Sequence, residues 1–274
     1  PAVRESRHII GDYQFSLSDV FRRKIPQDVI LKSKTAFDQH ALQSSWFARL
    51  GYLPYHEDKY ISYLSYRSCL PRNIKNLLVV GKACATTRDA FSFIRMQPEL
   101  QNLGYSIGTA AAIAVQDNVK PRDINIKKLQ KELIEINILS KKDMEKINND
   151  INQKKLVKKL SEGKEEYFIK VITGEKEKVL PLLQKEYPGD SDLGKLLLAM
   201  ARIWFKDEKV IPYLIRKLNK LQEKDTVNNL ENGQRPAGGW TNKPDNYWRV
   251  NQLISLLGIA GDKRALDILN QITL

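Results

Sequence analysis

The stretch YRSCLPRNIKNLLVVGKACATTRDAFSFIRMQPELQNLGYSIGTAAAIAV, Tyr66 to Val115, decides how the first half of the chain folds. Within it, NIKNLLVVG (Asn73 to Gly81) reads as an apolar run stopped by glycine, the pattern of a buried strand ending in a tight turn. From Gln97 to Asp117 the spacing predicts a helix, with Pro98 tolerated in its first turn. Gly104, Gly108 and Ala110 to Ala112 give that helix a small-residue face, on which another backbone can come close. A strand ending at Gly81 lets a ligand approach bare backbone at the sheet's carboxyl edge, where nucleotide-type ligands usually dock. The helix starting near Pro98 directs its positive end at the same region.

Outward from this stretch, KYISYLSYRSCL (Lys59 to Leu70) is rich in aromatic and β-branched residues with strand-like alternation. VRESRHIIGDYQFS (Val3 to Ser16) predicts two short strands meeting at Gly11-Asp12, followed by a short helix starting at Ser18-Asp19. After Pro121 the pattern is almost wholly helical, beginning with Leu129, Leu133 and Ile136 at helical spacing. Three later segments resemble one another: KVLPLL (Lys178 to Leu183), KVIPYLIRKL (Lys209 to Leu218) and RALDILNQI (Arg264 to Ile272). The last two follow FKDE and AGD, and a polar Gly/Pro-rich insert between Gln222 and Asn246 separates them. Helix–turn–helix units of roughly 30–45 residues are the signature of a HEAT-like stack. The expected fold is therefore an α+β half over residues 1–139, with mixed strands and one long Ala/Gly-rich helix. An all-α HEAT-like repeat half follows over 140–274.

Tyr66 to Val115 also resembles the C-terminal part of a bacterial family of FAD-dependent oxidoreductases. The resemblance rests on Tyr66, Arg67, Leu70, Pro71, Asn76, Leu77, Leu78, Gly81, Ile94, Arg95, Met96, Pro98, Gly104, Gly108, Ala111 and Ala112. Val3 to Tyr13, the Asp19-Val20 pair and FDQH (Phe37 to His40) extend it upstream, so it covers about residues 1–139. It implies FAD as cofactor and an oxidoreductase activity. It places Gly81, Lys82 and Ala83 beside the flavin ribityl or pyrophosphate, and Arg95, Met96, Gln97 and Pro98 near the flavin ring. Arg67 is then a candidate for holding a substrate anion or the flavin edge, and Asp38 and His40 are candidate acid/base groups on the substrate side. Many related flavoproteins carry an acid after this glycine, a place held here by Lys82. The family pattern also implies an N-terminal GxGxxG loop for the pyrophosphate, and none occurs in the 274 residues. The expectation is a C-terminal portion of a longer enzyme, inactive alone, whose partner is the N-terminal FAD-binding portion of the same protein.

Other readings of these residues stay open. Arg67 and Arg95 equally suit structural ion pairs, His40 an ordinary histidine, and Cys84, without a CxxC partner, a structural role. His8 and His56 carry no assignment. VVGKACATT lacks the glycine spacing of a P-loop.

Composition bounds the alternatives. The chain has 42% hydrophobic and 28% charged residues, which excludes a disordered chain or a coiled-coil rod. Two cysteines and three histidines predict no metal centre. The longest uncharged run, Leu100 to Gln116, is broken by polar residues and glycines, so no membrane span is read. The net charge of +13 raises a polyanion partner, but it divides as +6 over residues 1–120 and +7 over 121–274. The densest run, Lys141 to Leu160, mixes signs and lacks aromatics, so a nucleic-acid partner is not favoured. The alternative to an oxidoreductase with a small-molecule substrate is a non-enzymatic helical-repeat module that binds a protein or polyanion. Asn228 to Trp248 is the candidate surface for such a partner.

Overall fold

A computed structural model describes residues 7–37, 46–50, 60–147, 152–185, 191–222 and 246–272. The chain forms two compact units, one of Pro1–Gln39 with Tyr55–Ile151, the other of His40–Pro54 with Asn152–Leu274. In chain order the regular elements up to residue 144 are α1 (Leu17–Phe21), β1 (Val29–Thr35), α2 (Trp46–Arg49), β2 (Tyr60–Ser65), α3 (Arg88–Phe91), α4 (Gln97–Gln116), α5 (Ile126–Glu135) and α6 (Lys141–Met144). There follow α7 (Gln153–Ser161), α8 (Phe168–Ile172), α9 (Lys176–Gln184), α10 (Asp192–Trp204), α11 (Ile211–Gln222), α12 (Asn246–Ala260) and α13 (Leu266–Ile272).

In the first unit, β1 and β2 pair antiparallel, from Val29 opposite Ser65 to Thr35 opposite Tyr60. β2 confirms the strand expected from the aromatic and β-branched run, which then tightens into a 3-10 turn over Tyr66–Cys69. α4 matches its expected span and lies against β1. Leu103, Ile107, Ala110, Ile113 and Ala114 make its buried stripe, and Ser106 Oγ donates to the Ile30 carbonyl at 2.8 Å. Each large apolar side chain on that stripe contributes about 1.5–3 kcal/mol by leaving water. Its opposite face stays open. A Cβ added at Gly104 or Gly108 would meet no atom within 4 Å, and Val115 is 82% exposed.

Two expectations for this unit are corrected. Asn73 to Gly81 is not a buried strand. Asn73 and Asn76 take left-handed φ values of +62° and +57°, a conformation that asparagine tolerates and a strand cannot contain. The extended remainder joins no ladder, and its Val79 N–H donates to the Cys69 carbonyl at 2.9 Å. Ile74, Leu77 and Val80 are accordingly exposed. Nor does Gly11-Asp12 turn a hairpin within the described residues. Gly11 and Phe15 bridge instead to Pro71 and Thr86, threading this segment between two later ones. Gly11 serves close approach: an added Cβ would sit 2.6 Å from that of Ala85.

In the second unit one connection recurs three times. A left-handed residue (Gly163, Lys206, Gly261) is followed by a cap, a single 3-10 turn and a helix. At the second and third copies the caps are Asp207 and Asp262, whose carboxylates accept from Lys209 N–H at 3.2 Å and Arg264 N–H at 2.8 Å. The connection leads into α8, α11 and α13. The first copy therefore lies at 163–172. The similar KVLPLL sits in α9, which follows its N-cap Glu175 directly, without a 3-10 turn. At Gly194 in α10, an added Cβ would stand 1.9 Å from the Ser161 carbonyl oxygen at the end of α7. The unit also takes in residues from the first half of the sequence: Leu50, just after α2, is fully buried and its carbonyl accepts from Gln252 of α12 at 2.7 Å. Phe47 meets Trp204 with ring centroids 5.1 Å apart.

Candidate functional site

Three segments of the first unit, 8–16, 67–72 and 83–87, are laced together by backbone bonds. Ile9 N–H donates to the Ala83 carbonyl at 2.9 Å, Asp12 N–H to Leu70 at 3.0 Å, Phe15 N–H to Ala85 at 3.0 Å and Ala85 N–H to Ser68 at 2.8 Å. This lattice presents the Gly81–Ala83 turn. Gly81 has φ +77°, and an added Cβ there would meet nothing within 4 Å, so its backbone is both left-handed and accessible. Lys82 and Ala83 beside it are half-buried.

α4 packs against this turn. Its N-cap is Met96, which offers no side-chain acceptor, so the first-turn amides are left without a side-chain cap. Arg95 and Met96 are half-buried, and Gln97 and Pro98 exposed. The fold thus brings Gly81, Lys82 and Ala83 against α4, from which they are well separated in sequence.

Arg67 is held differently. Its Nε lies 3.1 Å and its Nη2 3.3 Å from the two carboxylate oxygens of Asp28, and its guanidinium stacks 5.3 Å from the Tyr13 ring centre. Asp28 also accepts from Ser65 Oγ at 2.5 Å. Burial alone would push the Asp28 carboxyl up, but the bonds from Arg67 and Ser65 outweigh it and hold the carboxyl below its usual range. The same bond to Asp28 raises the Arg67 guanidinium. Burial, then Asp19, raises the Tyr13 phenol, whose hydroxyl donates to the Asp19 carboxylate.

Asp38 and His40 lie outside the described residues, as do His56 and the greater part of the 222–246 insert. Cys69 and Cys84 are fully buried free thiols. Burial pushes the Cys84 thiol up to about 12 and Cys69 well above its usual value, so neither is a thiolate at neutral pH. Among the described residues, no group of three or more His, Cys, Asp or Glu could hold a metal ion, and no helix is long and apolar enough to cross a membrane.

Sequence reasoning gave no place to His8. Its Nδ1 lies 3.0 Å from the Cys84 carbonyl and 3.3 Å from Thr86 Oγ1, and its ring meets Phe91 edge-on at 4.8 Å. The partner is a backbone oxygen 76 residues away, which no spacing rule reveals.

No curated protein matches this chain, and no solved structure matches it. The model of one family, FAD dependent oxidoreductase, matches residues 1–133. The first part of the chain is thus related to the FAD-dependent oxidoreductases, a family whose cofactor is FAD.

Proposed function

We propose that the first unit supplies the carboxyl-terminal part of an FAD site, with Gly81, Lys82 and Ala83 along the ribityl or pyrophosphate and Arg95 to Pro98 toward the flavin ring. The observation that carries this reading is the open, left-handed Gly81 in a turn packed against α4, a helix whose start has no side-chain cap, inside the segment that matches the family. Both features suit a nucleotide cofactor: bare backbone for close approach, and helix amides free for an acceptor. Lys82 has no acceptor atom, so any contact it makes with FAD is to an oxygen, such as a phosphate oxygen, and not to a ribityl hydroxyl proton.

FAD, when bound, supplies the hydride chemistry. The contribution of this chain is to orient it and to place the positive end of α4 toward the ring edge that gains negative charge on reduction. That interaction is worth about 0.3–2 kcal/mol. It corresponds to a rise in potential of at most roughly 40 mV. Arg67, joined to Asp28, orders the surface next to the lattice, and Asp38 and His40 remain candidates for proton transfer on the substrate side.

The pyrophosphate loop would come from a further portion of the same protein, since no GxGxxG occurs in these residues. The exposed run from Ile74 to Val80 favours such a portion, because an extended apolar segment without ladder partners is suited to pairing. In the helical unit, the thrice-repeated connection favours a HEAT-like stack presenting a surface to a protein partner.

The test is the visible flavin absorbance of two proteins. The purified 274-residue chain is expected to bind FAD weakly and turn over nothing, whereas a protein that also carries the glycine loop retains FAD. A protein that stays colourless after reconstitution overturns the reading. A tight stoichiometric complex with the chain alone overturns its dependence on a further portion.

A further inference from the structure

Among the described residues, a side chain bonds the carbonyl that directly follows the Gly81–Ala83 turn, a contact to which the family match assigns no role. We propose that His8 is the positioning residue of the cofactor-facing turn. This inference rests on the FAD reading above. Cys84 follows the turn directly, and its N–H already closes back on Gly81 at 3.4 Å, so its carbonyl faces away from the turn's own hydrogen bonds. The His8 Nδ1 lies 3.0 Å from that carbonyl, so Nδ1 carries the proton and donates it there. The neighbouring residue, Ile9, donates its backbone N–H to the Ala83 carbonyl at 2.9 Å. Consecutive residues thus grip consecutive carbonyls at the exit of the turn, while Thr86 Oγ1 and the edge of Phe91 fix the imidazole plane.

The other imidazole nitrogen shows that this grip is made at a cost. Nε2 is buried and, among the described residues, meets no hydrogen-bond partner. An asparagine could supply the same donor but not the ring contact with Phe91. The ring adds the stiffness of a flat group set edge-on against Phe91, directly behind the residue that closes the turn.

Two variants of the FAD-loaded protein separate the donor from the ring. His8→Phe keeps an aromatic against Phe91 and removes the donor. FAD affinity is expected to fall about tenfold, the equivalent of one lost hydrogen bond near 1.4 kcal/mol, with a shifted visible flavin spectrum. His8→Asn restores a donor at the Nδ1 position and is expected to bring affinity and spectrum back to within about threefold of the parent. An unchanged affinity and spectrum in His8→Phe overturns the proposal, as does an equal loss in both variants. Should His8→Phe not fold, His8→Leu takes its place as the donor-free variant, and the same two outcomes are read against His8→Asn. Absence of FAD from the parent protein itself would instead defeat the underlying cofactor reading.

Discussion

Glycines set among apolar residues in α10 and in α4 meet opposite surroundings. In α10, Gly194 lies so near α7 that a single added carbon would stand 1.9 Å from the Ser161 oxygen. In α4, Gly104 and Gly108 face open space. The same residue type marks a finished contact in one helix and an unfilled one in the other. A glycine-bearing face therefore states how near a neighbour can come, and only the fold shows whether one has arrived.

The strongest way to break this contrast is Gly194→Val, which drives a branched side chain into the α7 backbone. It is expected to cost the helical unit about 3 kcal/mol, read as a lowered midpoint in urea. Arg249→Leu is expected to cost about 2–3 kcal/mol, because it leaves Glu165 without the cation 2.9 Å away and frees Gln252 Oε1. In the first unit, the depressed carboxyl of Asp28 gives an acid limb. Its stability is present above the ordinary carboxylate pKa and is lost as pH falls through the lower value of the folded state. Asp28→Asn should flatten that limb in a thermal melt series and cost about 1 kcal/mol at neutral pH, discounted because Arg67 is half exposed. The smallest effect has the opposite sign. Gly104→Ala should stabilise the 274-residue chain by about 0.5–1 kcal/mol, since α4 gains helix propensity and meets no clash. The same change should weaken any partner that seats on that face, which a titration of the two proteins would show.

What could be read from the amino acids follows this contrast. The bounds of α4 were written locally, by Pro98 in the first turn and by the apolar stripe from Leu103 to Ala114. The 3-10 connections at Asp207 and Asp262 were visible as FKDE and AGD, because an aspartate cap has its own chemistry. The first copy escaped notice because Lys164 holds the cap position there, while KVLPLL imitated the apolar spacing of the later copies. Asn73 to Gly81 misled for a different reason. Its valines and leucines record a preference for burial, whereas strand formation depends on neighbours and on two asparagines that bend the backbone. At the candidate site, Gly81 and Arg95 to Pro98 are candidates through the family pattern alone. The ion pair of Arg67 with Asp28 and the grip of His8 on Cys84 span 39 and 76 residues, and only folding brings those partners together.

The placement of residues 46–50 bears on how the halves of this polypeptide could ever be parted. The chain visits the helical unit early, returns to the first unit by Tyr55, and enters the helical unit again at Asn152. Cutting after Ile151 would strip Leu50 of the glutamine that bonds its carbonyl and Phe47 of its indole neighbour, leaving greasy residues bare in the middle of the surviving piece. Proteolysis at that seam is therefore expected to yield a first piece with an uncovered apolar stretch, so the helical half does not behave as a removable tail.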